Sequence, residues 1–80
     1  MNIRISNLID STTEDDLIVL MQKYGSPSEM RIVTDRYTAK DLIIVYLKLE
    51  DEVKAAKAIA ELHGKDIGGE VIKVVESINV

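Results

Sequence analysis

The chain has 80 residues, of which 46% are hydrophobic; it contains no cysteine and carries a formal net charge of −4. That length allows one domain near the lower limit for a self-sufficient core, and that hydrophobicity argues against disorder. The missing cysteines exclude a disulfide framework and thiolate metal ligation, and the acidic balance, taken whole, argues against binding nucleic acid by bulk charge.

Asn2 to Ser6 alternates Ile3 and Ile5 with polar residues, the pattern of a short strand. Thr13-Glu14-Asp15-Asp16 opens a helix, with Thr13 as N-cap and three acids in the first turn, where the helix dipole favours them. Leu17, Leu20, Met21 and Tyr24 fall at i, i+3, i+4 and i+7, a single apolar stripe that puts Tyr24 in the core. Gly25 stops the helix and Pro27 follows. Glu29 to Thr34 is the second strand, with Met30 and Ile32 on one face. Asp35 to Asp41 is a polar connection, in which Tyr37 is either a plain exposed aromatic or one that reaches a ligand.

Leu42 to Leu49 is the third strand, and it is apolar on both faces for most of its length. Ile43, Val45, Leu47 and Leu49 fill one face, while Leu42, Ile44 and Tyr46 load the other. A half-buried strand should alternate apolar and polar residues. A chain this short can cover one side of one sheet, so the second apolar side is expected to bind or associate.

Asp51 caps a second helix, whose buried side is expected to hold Val53, Ala55, Ala56, Ile59 and Leu62. Gly64 ends it, and His63 just before the stop occupies a place where the dipole favours a cation. Lys65 to Glu70, with Gly68-Gly69, is a turn or tight hairpin, and Val71 to Glu76 is the last strand, with Ile72 and Val74 inward. The order is β-α-β-β-α-β. Right-handed crossovers then put both helices on one face of a four-stranded antiparallel sheet, an α+β fold of the ferredoxin-like kind, in one domain over residues 1–80.

Local motifs narrow this widely shared order. Ile3-Arg4-Ile5-Ser6-Asn7-Leu8 resembles the hexamer motif of the RNA recognition motif family, which runs aliphatic, aromatic, aliphatic, any residue, Asn, Leu. Thr13-Glu14-Asp15-Asp16-Leu17 with Tyr24-Gly25 looks like that family's first helix, and Arg31 to Arg36 like its second strand and turn. Ala55, Ala58, Ile59, Leu62 and Gly64 match its second helix and stop. In register, Leu42 to Leu49 is similar to the octamer motif, whose pattern is basic, Gly, aromatic, Gly or Ala, aromatic, aliphatic, any residue, aromatic.

Of the three exposed aromatics that stack bases in that family, this chain keeps Tyr46; Ile44 and Arg4 stand at the other two positions, and Leu42 at the basic one. Each stack contributes about 1–3 kcal/mol. Losing two costs about 2–6 kcal/mol, or roughly 1.5 to 4 decades of affinity. An arginine guanidinium can itself stack on a base, so Arg4 is a partial substitute. The resemblance therefore implies weak binding of single-stranded RNA, with little sequence preference, on the open face of the sheet. Tyr46 would stack a base, Arg4 stack or meet phosphate, and Ile44 pack on a base; Arg31, Lys48 and Lys73 would neutralise backbone charge. Arg36 and Lys40 border the face, while six of the fourteen acids cluster at the two helix starts.

The alternative is a protein-interaction module or homodimer, in which Val33, Leu42, Ile44, Val71 and Val75 join into one apolar patch. No enzyme, cofactor or metal is expected. Asp15-Asp16 is a charged first turn rather than a spaced acid and base, and the lone His63 has no carboxylate or Cys partner in its motif. The N-terminus lacks a basic region followed by an apolar core, so no signal peptide is expected; the cytoplasm is the default location. No apolar run approaches transmembrane length.

Overall fold

The computed structural model describes residues 1–38 and 40–78. In chain order the elements are β1 (Asn2–Ile9), α1 (Glu14–Met21), β2 (Glu29–Thr34), β3 (Leu42–Lys48), α2 (Glu52–Leu62), β4 (Asp66–Ile67), β5 (Glu70–Val71) and β6 (Lys73–Glu76). The main sheet runs β2-β3-β1-β6 with every pair antiparallel, and β4-β5 forms a separate hairpin. This is the ferredoxin-like arrangement. Ile3, Ile5, Val45, Leu47 and Val74 point from the sheet into a core closed by Leu17 and Met21 of α1 and by Ala55, Ala58 and Leu62 of α2. Among the described residues, no helix covers the opposite face of the sheet.

The start of α1 is a reciprocal cap. The Asp16 amide donates to the Thr13 hydroxyl at 3.1 Å and the Thr13 amide donates to the Asp16 carboxylate at 3.0 Å, satisfying two helix-end donors. Hydrogen bonding from the Thr13 amide, and then from its hydroxyl, holds the Asp16 carboxyl below its ordinary range. The helix ends at Met21, short of Tyr24, yet Tyr24 is still buried because the following turn carries it inward; its amide donates to the Met21 carbonyl at 2.8 Å. Its hydroxyl donates to Glu61 of α2 at 2.7 Å, tying the two helices together at the edge of the core.

One sequence expectation needs correction. On α2 the buried residues are Ala55, Ala58 and Leu62, with Ile59 packed beside them, which is the i, i+3, i+7 and i+4 stripe of one helix face. Val53 and Ala56 lie off that stripe and are exposed, Val53 by 80%. On β2, Met30 and Ile32 share one face as expected, opposite the buried Leu47 and Val45; Met30 packs on the core, while Ile32, on an edge strand, is 40% exposed. At the end of α2 the His63 Nδ1 accepts the Val74 amide at 3.0 Å. The imidazole thereby takes up an outward amide of β6, the other edge strand.

β1 is longer than its alternation suggests. Ile5 lies opposite Val45, but the next aligned pair is Leu8 with Ile43, so Ser6 and Asn7 together face Ile44. This is a β-bulge. Asn7 takes the left-handed backbone at φ 65°, a region that Asn tolerates better than most residues. Its side-chain amide donates to the Val71 carbonyl at 3.4 Å. The extra residue switches the inward parity from Ile3 and Ile5 to Leu8, keeping all three buried.

Candidate functional site

Strand register sets out the open face in rows. Counting from β2 across β3 and β1 to β6, one row reads Arg31, Tyr46, Arg4, Val75. A neighbouring row begins Glu29, Lys48, Asn2, with the Ser77 amide donating to the Asn2 carbonyl at 2.8 Å beyond it. On the other side lie Val33 and Ile44, then the Ser6–Asn7 bulge, then Lys73. The last row pairs Leu42 with Ile9. Adjacent strands stand about 4.8 Å apart, so residues sharing a row are in reach of one another.

All six sequence-predicted site residues, Arg4, Arg31, Ile44, Tyr46, Lys48 and Lys73, fall on this face. The structure brings three of them together. Tyr46, half-buried, lies between Arg4 and Arg31, and the Arg31 guanidinium carbon is 4.9 Å from the centre of its ring. That is cation–π distance, and it ties the ring to the neighbouring strand β2. A shallow depression of about 470 Å³ opens over the group, lined by Arg4, Arg31, Tyr46, Val75, Glu76, Ser77 and Ile78. A second, about 600 Å³, adjoins it along Met1, Asn2 and Lys48 and shares Glu76, Ser77 and Ile78. Ile44 and Lys73 lie one row away, on either side of the bulge.

The apolar patch expected from Val33, Leu42, Ile44, Val71 and Val75 is not continuous. Leu42 is buried, and Arg4, Ser6 and Asn7 come between Ile44 and Val75. Around Leu42 the face is closed by the β4-β5 hairpin. Gly68, at φ 63°, comes so close to Ile9 that a Cβ there would fall 2.6 Å from the Ile9 Cδ1. Lys40, expected as a border cation, instead pairs with Glu70 of the hairpin at 3.0 Å. Arg36 and the fully exposed Tyr37 stay in the connecting loop, where the Tyr37 amide donates to Asp35 at 2.9 Å.

Two acids on this surface escaped the sequence reading. Glu29 lies opposite Lys48, and Glu76 lines both depressions. Glu29 was legible from the alternation of β2. Glu76 was not, because its register partner Ile3 points inward, and its place beside the depressions follows only from the order of the strands in space. Among the described residues, no group of three His, Cys, Asp or Glu is placed to hold a metal, and no helix is long and apolar enough to cross a membrane.

Comparison with known proteins agrees with this geometry. The family model described as RNA recognition motif matches residues 3–73. The U2 snRNP component IST3 of Saccharomyces cerevisiae is 33% identical over 72 residues, which are 90% of this chain and 49% of that protein. RbpE of Nostoc sp. is 34% identical over 74 residues, 92% of this chain and 75% of that one. The chain thus spans about half the first relative and three quarters of the second. Among solved structures, the RNA-binding protein PG1 superposes with a TM-score of 0.83 at 35% identity, covering 100% of this chain and 96% of that one. The Rna15 domain with bound RNA superposes with a TM-score of 0.81 at 19% identity, covering 98% and 83%, a likeness of fold alone.

Proposed function

The chain belongs to the RNA recognition motif family, and from that premise we propose that it binds single-stranded RNA on the open face of its sheet, with Tyr46 as the stacking platform. The observation that carries this is the row Arg31, Tyr46, Arg4: one aromatic ring flanked on both neighbouring strands by arginines, one of them at cation–π distance. A base has a π-face for the ring, and its phosphates have charge for the arginines. Ile44, one row along, gives the next base an apolar contact. Lys48 and Lys73, on opposite sides of the ring's row, suit the backbone running past it.

Affinity on this reading is modest. One stacked base contributes about 1–3 kcal/mol, and the face offers one aromatic where three would be usual. Glu29 and Glu76 further dilute the positive potential. Binding rather than catalysis is the role that the family supports.

A titration of short single-stranded RNAs into labelled protein at low salt tests the proposal by NMR. Shifts confined to Tyr46, Arg4, Ile44 and their strand neighbours are expected, and Tyr46→Ala should weaken binding by about 5- to 150-fold, the equivalent of one stack. An unmoved Tyr46 ring at millimolar RNA would sink it.

A further inference from the structure

The two edges of the main sheet differ in what their backbone presents. Along β6 and the residue before it, the outward groups are taken. The Ile72 amide donates to the Lys65 carbonyl and the Ile72 carbonyl accepts the Gly64 amide, both at 2.9 Å, and the Val74 amide donates to His63. On the other edge, the Asp35 amide donates to the Leu42 carbonyl at 2.9 Å, so Asp35 and Leu42 are a hydrogen-bonded pair that prolongs the β2–β3 register. Bonded pairs alternate. Glu29, Arg31 and Val33 therefore turn their backbone groups toward β3, and Met30, Ile32 and Thr34 turn theirs outward. Among the described residues nothing bonds these outward groups. No proline or bulge guards the strand, and Ile32 and Val33 are 40% and 38% exposed.

The charges on this edge match a second copy of the same strand. Arg31, Val33 and Asp35 lie on one side of β2 by alternation. Neither Arg31 nor Asp35 takes part in an ion pair among the described residues, where the pairs are Lys23 and Lys57 with Glu61, and Lys40 with Glu70. Two β2 strands meeting antiparallel about a twofold axis can bond only where outward residues face outward residues, which leaves few central registers. With Arg31 facing its own copy, two guanidinium groups collide. With Ile32 facing its own copy, Glu29 meets Asp35 at both ends, and like charges directly opposite are unfavourable. With Val33 facing its own copy, Arg31 meets Asp35 at both ends, the two valines pack together, and Ile32 and Thr34 exchange backbone bonds across the seam.

We propose that β2 is a self-association edge: two copies of this chain join β2 to β2 in the register centred on Val33, forming one continuous sheet that ends in β6 on both sides. The interface is isologous, so it closes at two copies. It uses the edge of the sheet and not its open face, and it holds whether or not that face binds RNA.

Sedimentation equilibrium of the whole chain over a wide concentration range tests it, with a rise from one to two chains expected. Ile32→Pro removes an outward amide and leaves the β2–β3 ladder intact, which circular dichroism checks; it should weaken association about tenfold or more. Charge exchange reads the register without a backbone change. Arg31→Glu alone sets acid against acid, and Asp35→Lys alone sets cation against cation, so each should be monomeric. An equal mixture of the two variants restores both opposite pairs and should form a mixed dimer. A wild type that stays monomeric at millimolar concentration would overturn the proposal. A dimer indifferent to Ile32→Pro, with the mixture no tighter than its parts, would overturn it as well, because another surface would then be in use. Tighter association of Asp35→Lys alone would put Glu29 opposite that position and overturn the register.

Discussion

Asn7 and Tyr24 show how much single side chains decide in this molecule. The family-like hexamer calls for Asn at position 7, and the structure supplies a reason: the bulge demands left-handed backbone there, and the side chain reaches the Val71 carbonyl. Asn7→Gly should therefore change stability little, whereas Asn7→Val should cost about 1–3 kcal/mol in strain, read as a shift of the denaturant midpoint. Tyr24 predicts a pH response. Its hydrogen bond to the Glu61 carboxylate, together with burial and the negative charge of Glu61, pushes the phenol up to about 12 from its ordinary 10.0. A raised folded-state value means that the contribution to stability is complete below pH 10 and disappears as the pH climbs toward 12. The same hydroxyl holds the Glu61 carboxyl below 4.5, so that contribution is present above the ordinary carboxylate range and fades in acid. Unfolding midpoints of the wild type and Tyr24→Phe should thus stay apart by a constant amount at neutral pH and converge between pH 10 and 12.

At the scale of elements, what the sequence made legible is what depends on local periodicity. Caps, helix stripes and strand alternation are neighbour-to-neighbour properties, and the Thr13 cap, the Leu17–Met21 stripe, β2 and the inward half of β3 follow from them. Coverage is a different kind of property. Val53 is apolar and its sequence puts it on the buried side of α2, but whether an apolar residue is covered depends on the layer above it. The bulge left a mark that periodicity could have caught, the switch from odd to even between Ile5 and Leu8. Ala58 and Val53 provide the test. Ala58→Leu forces bulk between α2 and the sheet and should destabilise by about 1–3 kcal/mol. Val53→Asp should stay within about 0.5 kcal/mol. Thermal or chemical denaturation of the two variants checks both.

Over the whole molecule the charges tell against a strong electrostatic contribution. Net charge is −4, and the open face offers Arg4, Arg31, Lys48 and Lys73 against Glu29 and Glu76. If all four cations met phosphates, log K would fall against log salt with a slope of about −3, at about 0.7 per single-strand contact. The expected slope is shallower, because Arg31 lies on the Tyr46 ring and two acids stand nearby; a salt series with a fixed RNA measures it. The position of Tyr46 was readable in the chain, since the octamer register placed it. Its surroundings were not, because Glu76 and Ser77 reach the ring only through the order of strands in space.

The two rims of the sheet are unlike in one further respect. On β6 the Val74 amide already has an imidazole for company, and helix α2 packs alongside. On β2 six residues from Glu29 to Thr34 run without a proline or a bulge, almost wholly in water, with half of their backbone groups aimed away from β3. Any lengthening of this sheet by an incoming strand therefore has a direction: it starts at β2 and grows outward from there. In a concentrated solution the chain has one sticky side, and a lysine in place of Ile32 is where a more soluble form would begin.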